Sequence, residues 1–337
     1  YGVLRIKESL DLAIKKYYRK SYDRLTEKHK NIFRIGVYQI DRMNSVPDYA
    51  SVNTTVEIAK KESLSFSKVV NAILMNFIRN NDKINTNILN HSMSLISHWE
   101  KDYTKSQILD LCNWNNVIPV VWFRVNRESL KKLNSIENIL FKKHPDIDNF
   151  ISFKDTKYAI DNFVKTGLIE VQSPSSGLVS QMLDLSKEDV IIDACASPGG
   201  KTRHILEIMS NSNILHINDK GYDKYLKLIK DFEGNLESVS CKDASKDSFP
   251  MADKILLDVP CSSTGTIQKN PDIKWKRHNL RKLNLLQLKV LKNMSKFLNK
   301  NGAIIYSTCS LCKSENFKII DSFLKNNKDF KLDDASK

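Results

Sequence analysis

The chain has 337 residues, room for about two domains at roughly 150 residues each. Hydrophobic residues make up 41% and charged residues 27%, with 10 glycines and 8 prolines, which excludes disordered, collagen-like and low-complexity readings. The net charge of +14 suits a polyanion such as RNA, although a general enrichment in Lys, Asn and Ile accounts for it equally well. No apolar run approaches the roughly 18 residues a membrane helix needs, so no membrane partner is expected. Six cysteines in a chain this long do not make a disulfide framework; a reducing, cytoplasmic setting with free thiols is expected, and a monomer is the default.

Taken in chain order, the first 80 or so residues read as helical. Ile6, Leu10, Ala13, Ile14 and Tyr17 follow helical spacing, as do Ile32, Phe33, Val37 and Ile40, then Phe66, Val69, Val70, Ile73, Leu74 and Phe77. Pro47 separates the second of these helices from the next. Residues 82–98 are polar and aperiodic and read as a linker. The run Val117–Phe123 reads as a strand, and a helix is expected over Ser129–Leu140. From about Ser186 strands and helices alternate. Strands are expected at Val190–Asp193, Ile214–Ile217, around Val239, at Lys254–Asp258 and at Ala303–Tyr306. Helices are expected from Lys201, over Tyr222–Phe232, over Asn279–Leu298 and from Glu315. This alternation predicts an α/β, doubly wound, mostly parallel sheet, whose ligands bind beyond the carboxyl ends of the strands.

The residues at those ends carry the chemistry. Asp193 is followed by Cys195–Ala196–Ser197–Pro198–Gly199–Gly200–Lys201–Thr202, a small-residue loop that lets a ligand approach the backbone. It is not a phosphate-binding P-loop, because Cys195 stands where the first glycine of G-x-x-x-x-G-K-[ST] is required. No G-x-G-x-x-G is present either. A nucleoside-bearing cofactor without a bound pyrophosphate fits, and S-adenosylmethionine answers that description. Asp219, about 20 residues past the glycine pair, suits ribose hydroxyls. Asp243 follows the third strand, where an adenine edge would lie. Each alone reads more readily as a surface or capping aspartate; their shared place at strand ends shifts the balance toward the cofactor. The fourth strand ends in Asp258–Val259–Pro260–Cys261 and the fifth in Tyr306–Ser307–Thr308–Cys309. A lone cysteine is usually a small buried hydrophobe, but two on one rim of a sheet are harder to dismiss. Cys309 and Cys312 form C-x-x-C without a second ligand pair, so no metal is expected. An amino-group methyltransferase would carry an aromatic residue after Pro260, where Cys261 stands. A non-catalytic RNA-binding factor is the remaining rival, and the intact loop beside two rim cysteines argues against it.

The stretches CASPGGKT at 195–202, LLDVPCSSTGTIQKNPDIKW at 256–275 and YSTCSLCKSEN at 306–316 resemble the RNA 5-methylcytosine methyltransferases, and among them the RsmB (Sun) family of bacterial ribosomal RNA enzymes. YGVLR at 1–5 and VVNAIL at 69–74 resemble that family's NusB-like helical domain, and WFRVN at 122–126 its small RNA-binding subdomain. Val259, Ser197 and Ser314 depart from the usual Ala, Ala and Glu. The resemblance implies a NusB-like domain at 1–82 and a linker with a small α+β subdomain at 83–165. It further implies a Rossmann-like, S-adenosylmethionine-dependent methyltransferase domain at 166–337, with both outer domains expected to be incomplete at the chain ends. It implies cofactor binding by residues 195–201, Asp219, Asp243 and Asp258. It also implies that Cys309 attacks carbon 6 of a cytosine, that Cys261 resolves the adduct and that Asp258 holds the base, with small-subunit ribosomal RNA as the partner. From the residues alone the division of labour between the two cysteines stays open. Lys201 is a candidate second contact to the base, and Lys269, Lys274, Trp275, Lys276 and Arg277 are candidate RNA contacts.

Overall fold

The computed structural model describes residues 1–18, 22–85, 87–136, 139–232 and 238–333. They group into two units: Tyr1–Ile118 with Thr264–Arg277, and Pro119–Ser263 with His278–Lys337.

The first unit is helical: α1 (Gly2–Arg5), α2 (Lys7–Tyr17), α3 (Glu27–Arg42), α4 (Asp48–Lys60), α5 (Leu64–Arg79), α6 (Met93–Trp99) and α7 (Lys105–Asn116). Side-chain caps fix the starts. Thr26, Ser63 and Ser92 accept from the backbone N–H groups of His29, Phe66 and Leu95, and Thr104 with Gln107 forms a capping box. Each cap contributes about 1 kcal/mol. The expected stripes form the core, with Leu10, Ile14, Phe33, Val37, Val70, Leu74 and Phe77 buried.

Three expectations need correction. Residues 82–98 are not all linker, because α6 buries Leu95, Ile96 and Trp99; one two-turn helix is too short to show a period. The compact helical unit that contains these helices runs to Ile118. The run 117–123 pairs only at its end, leaving Val117, Ile118 and Val120 exposed, since Pro119 has no N–H to give a ladder. Finally, Lys274 faces no RNA: it is fully buried. Its Nζ donates to the Arg5 carbonyl at 3.0 Å and to the Asn116 side-chain oxygen. Beside it, Trp275 Nε1 donates to the Leu4 carbonyl at 2.9 Å, and Arg5 donates to the Gln268 carbonyl at 2.7 Å. Burial lowers the Lys274 pKa to about 8.

The second unit opens with β1 (Phe123–Arg124), α8 (Arg127–Asn134), β2 (Phe141–Lys143), β3 (Phe150–Phe153), α9 (Thr156–Ala159) and β4 (Glu170–Val171). The four strands form an antiparallel sheet in the order β2-β3-β1-β4 over a core of Phe123, Leu133, Ile151, Phe153 and Phe163. α8 is shorter than the helix expected to reach Leu140.

The parallel portion comprises α10 (Pro174–Gln181), β5 (Val190–Asp193), α11 (Gly200–Ile208), β6 (Ile214–Asn218), α12 (Tyr222–Phe232), β7 (Ser238–Ser240), β8 (Ala252–Asp258), α13 (Leu280–Met294), β9 (Leu298–Ser307) and α14 (Phe317–Asn326). All five strands run parallel in the order β7-β6-β5-β8-β9. Side chains alternate between the faces. Ile191, Leu215, Ile217 and Leu256 pack with Ile205, Leu228 and Phe232, whereas Ile192, Ile255 and Leu257 pack with Val290, Leu291, Ile319 and Phe323. Burying each such side chain is worth about 1.5–3 kcal/mol. The chain leaves β5 toward β6 on one side, and β8 lies on the other. The switch point therefore opens between the ends of β5 and β8.

Candidate active site

The glycine loop leaves β5 at Asp193, whose buried carboxylate accepts from Thr202 Oγ at 2.8 Å. Burial raises that carboxyl to about 7, and its Oδ1 has no hydrogen-bond partner among the described residues. Ala196 N–H donates to the Asn218 carbonyl at 2.9 Å, which sets the loop against β6. Gly199 has φ +97°, and a Cβ there would meet the Phe232 ring at 2.9 Å, so only glycine fits the start of α11. At Gly200 a Cβ would meet nothing within 4 Å; the loop is open on that side. From the small antiparallel sheet, buried Arg124 donates to Gln172 Oε1 at 2.8 Å, and Gln172 Nε2 donates to the Gly200 carbonyl at 3.0 Å.

Asp219 accepts from Ser197 N–H and from Gly221 N–H, each at 3.2 Å, buckling the loop to the end of β6. Asp243 accepts from the Ser245 backbone and hydroxyl and pairs with Lys220 at 2.8 Å; the lysine and those hydrogen bonds lower its pKa to about 2. Both aspartates thus follow the ends of β6 and β7, and both hold their own loops.

Three of the strand-end carboxylates have lysine partners: Asp258 with Lys201 at 2.5 Å, Asp243 with Lys220 at 2.8 Å and Asp219 with Lys224 at 3.5 Å. Burial pushes the Cys195 thiol well up, and the carboxylates of Asp193, Asp219 and Asp258 push it further. Burial and those charges thus disfavour a thiolate at Cys195.

On the rim, Cys261 Sγ and Cys309 Sγ lie 3.3 Å apart. They extend the neighbouring strands β8 and β9, which pair in register up to Asp258 and Ser307. The two thiols titrate as a pair. Cys309 is driven below the ordinary thiol range, first by the Cys261 thiol and then by the Ser263 hydroxyl, 3.3 Å away. The same contact and burial drive Cys261 upward. Lys201 reaches from α11 to Asp258 Oδ2 at 2.5 Å, with side chains 16% and 29% exposed; it is not a solvent-facing helix lysine.

Two residues on this rim carried no assigned role in the sequence. Ser263 sits at φ +59°, a left-handed conformation that costs a serine about 1 kcal/mol or more, and its hydroxyl lies beside the sulfur pair, 3.3 Å from Cys309 Sγ and 3.9 Å from Cys261 Sγ. Glu315 is fully buried behind both cysteine loops. In the sequence it stands in the polar run Lys313–Ser314–Glu315–Asn316 and gives no local signal; Gln287, out of pattern between Leu286 and Leu288, is the one hint.

Residues 180–337 match the family model for 16S rRNA methyltransferase RsmB/F, and residues 1–79 match that of the NusB family. The chain is 30% identical over 359 residues to ribosomal RNA small subunit methyltransferase B of Photorhabdus laumondii, spanning 98% of this chain and 82% of that protein. It is 28% identical over 359 residues to the probable ribosomal RNA small subunit methyltransferase B of Bacillus subtilis, spanning 99% and 80%. A crystal structure of a methyltransferase homolog protein from Pyrococcus horikoshii aligns over 70% of this chain and 83% of that one, with 25% identity and a TM-score of 0.55. The chain belongs to the RsmB/F methyltransferase family and is an S-adenosylmethionine-dependent methyltransferase.

Proposed function

We propose that this enzyme methylates carbon 5 of a cytosine in small-subunit ribosomal RNA through a covalent cysteine–cytosine adduct. The observation that carries this reading is the 3.3 Å approach of Cys261 and Cys309 beside the Lys201–Asp258 pair. The relatives' names, which specify the small-subunit RNA, support the substrate.

The residues that would hold the cofactor are Cys195, Ala196, Ser197, Pro198, Gly199, Gly200 and Lys201 along the loop, with Asp219 for ribose hydroxyls, Asp243 toward the base and Asp258 at the switch point. Bound there, S-adenosylmethionine supplies an electrophilic methyl group.

Cytosine carbon 5 is a weak nucleophile. Cys309, held below the ordinary thiol range, is the sulfur that enters as thiolate. It bonds to carbon 6, and the electron pair of the ring double bond moves so that carbon 5 becomes enamine-like. Asp258 accepts from the base, and Lys201 beside it stabilises charge developing on the ring. After carbon 5 is methylated, water accepts the remaining carbon 5 proton, the C–H electron pair reforms the double bond and the C6–S bond breaks with its electrons leaving on the Cys309 sulfur as thiolate. Cys261, kept as a thiol, donates a hydrogen bond to that departing thiolate. The base must leave its stack to reach the rim, which favours unpaired RNA. No helix among the described residues is long and apolar enough to cross a membrane.

The test is a pair of variants assayed with labelled S-adenosylmethionine and small-subunit ribosomal RNA. Cys309→Ala should abolish transfer. Cys261→Ala should accumulate a protein–RNA adduct seen as a retarded gel band. Undiminished transfer by the first, or an adduct formed only by the wild type, would reject the assignment. Bisulfite mapping of RNA from cells lacking the gene should show one cytosine losing protection.

A further inference from the structure

Glu315 lies in the turn after β9 and is fully buried. Its Oε1 accepts from the Ser262 backbone N–H and from Gln287 Nε2, both at 2.9 Å. Its Oε2 accepts from the hydroxyls of Ser262 and Ser310, both at 2.5 Å. Ser262 follows Cys261 in the chain, and Ser310 follows Cys309. One carboxylate therefore grips the residue next to each sulfur. The bracing extends further. Gln287, on α13, also donates to the Pro260 carbonyl at 3.0 Å, on the other side of Cys261. Tyr306 donates its hydroxyl to the Glu315 carbonyl at 2.8 Å.

An ionised carboxylate is an acceptor only, with about four lone-pair sites, and four donors meet this one. Hydrogen bonds to a charged acceptor are roughly twice as strong as neutral ones. An amide in the same place would offer one accepting oxygen and turn its own N–H groups toward donors. The two loops come from different strands, and their ends carry sulfurs that must stay within contact through bond making and breaking. A 1 Å displacement of reacting groups can cost about 100-fold in rate.

We propose that Glu315 is the positioning residue that clamps the Cys261 and Cys309 loops together and so sets the spacing of the two sulfurs. The proposal rests on the two-cysteine reading above, and it concerns how that pair is held rather than what it attacks.

The test compares wild type with Glu315→Gln in two ways. Diamide oxidises two adjacent thiols to a disulfide and is itself reduced to the hydrazine; the Cys261–Cys309 cross-link, identified by peptide mapping, reports the spacing directly. In a Glu315→Gln protein that melts cooperatively, the cross-link should form about tenfold more slowly or less. The kcat for methyl transfer should fall about 100-fold, with KM for S-adenosylmethionine within about twofold. A wild-type cross-linking rate, or a wild-type kcat, in that folded variant overturns the clamp. Should Glu315→Gln not fold, the double variant Ser262→Ala/Ser310→Ala keeps the carboxylate and removes its hydroxyl donors; it should show the same slowing, and a wild-type cross-linking rate there overturns the proposal. If the wild type does not methylate cytosine, the functional reading fails, and the cross-linking comparison alone decides the clamp.

Discussion

Lys201 Nζ, on the first turn of α11, lies 2.5 Å from Asp258 Oδ2 at the end of β8, joining the glycine loop to the strand that leads to Cys261. Each partner is mostly buried, so removing one leaves the other charged and poorly solvated. Lys201→Met and Asp258→Asn should each lower single-turnover methyl transfer by about 100-fold or more. In the proposed mechanism the two act on one base as a unit, so the double variant should be little worse than the poorer single variant. Losses that multiply would show two independent roles.

The thiol pair makes a prediction about pH. Thiolate is the form that reacts, and Cys309 is held below the ordinary range by the Cys261 thiol and the Ser263 hydroxyl. Iodoacetamide should therefore modify Cys309 at half its maximal rate below about pH 8.5, the value for a free thiol, while Cys261 stays protected well above it. Ser263→Ala should move the Cys309 curve to higher pH. Mass spectrometry of the alkylated peptides across pH reads both sulfurs at once.

Asp219 both ties down Ser197 and stands at the ribose end of the proposed cofactor site. Asp219→Ala should weaken S-adenosylmethionine binding by about tenfold or more, measured by calorimetry, and should reduce the rise in Tm the cofactor produces. Unchanged affinity would remove Asp219 from the site.

Lys274 supplies a stability prediction with a definite sign. Lys274→Met leaves the Arg5 carbonyl and the Asn116 oxygen without this donor, at a cost of about 1–3 kcal/mol. In the wild type its pKa is about 8 when folded, below its unfolded value of about 10.4. Below pH 8 both states hold the proton and this group adds no pH dependence. Between the two values the unfolded chain binds the extra proton, so stability rises with pH across that window. The methionine variant lacks that rise. Urea unfolding should therefore show a larger gap between the two proteins at pH 10 than at pH 7.

Local pattern carried much of this molecule. The alternation of apolar strands with helices placed Asp193, Asp219, Asp258 and Cys309 at strand ends, and a parallel sheet brings those ends to one rim. The closeness of Cys261 and Cys309 was implicit in β8 and β9 being neighbours. The effects that escaped join distant stretches. Glu315 reads as one acidic residue among many until Ser262, Gln287 and Ser310 arrive from three other places. Lys274 reads as a basic surface residue until Arg5 and Asn116 close over it. Trp99 anchors a helix too short to register as periodic, and Pro119 removed a strand whose composition otherwise looked right.

The return of residues 264–277 to the helical unit constrains how this protein can be divided. A polypeptide beginning at Pro119 would still contain Lys274 and Trp275 but not Leu4, Arg5 or Asn116, leaving an ammonium and an indole stripped of their acceptors. Expressed alone, the catalytic portion should be prone to aggregate. Exchanging the front helices with those of a homologue should likewise require transplanting two separated pieces of gene in a single step.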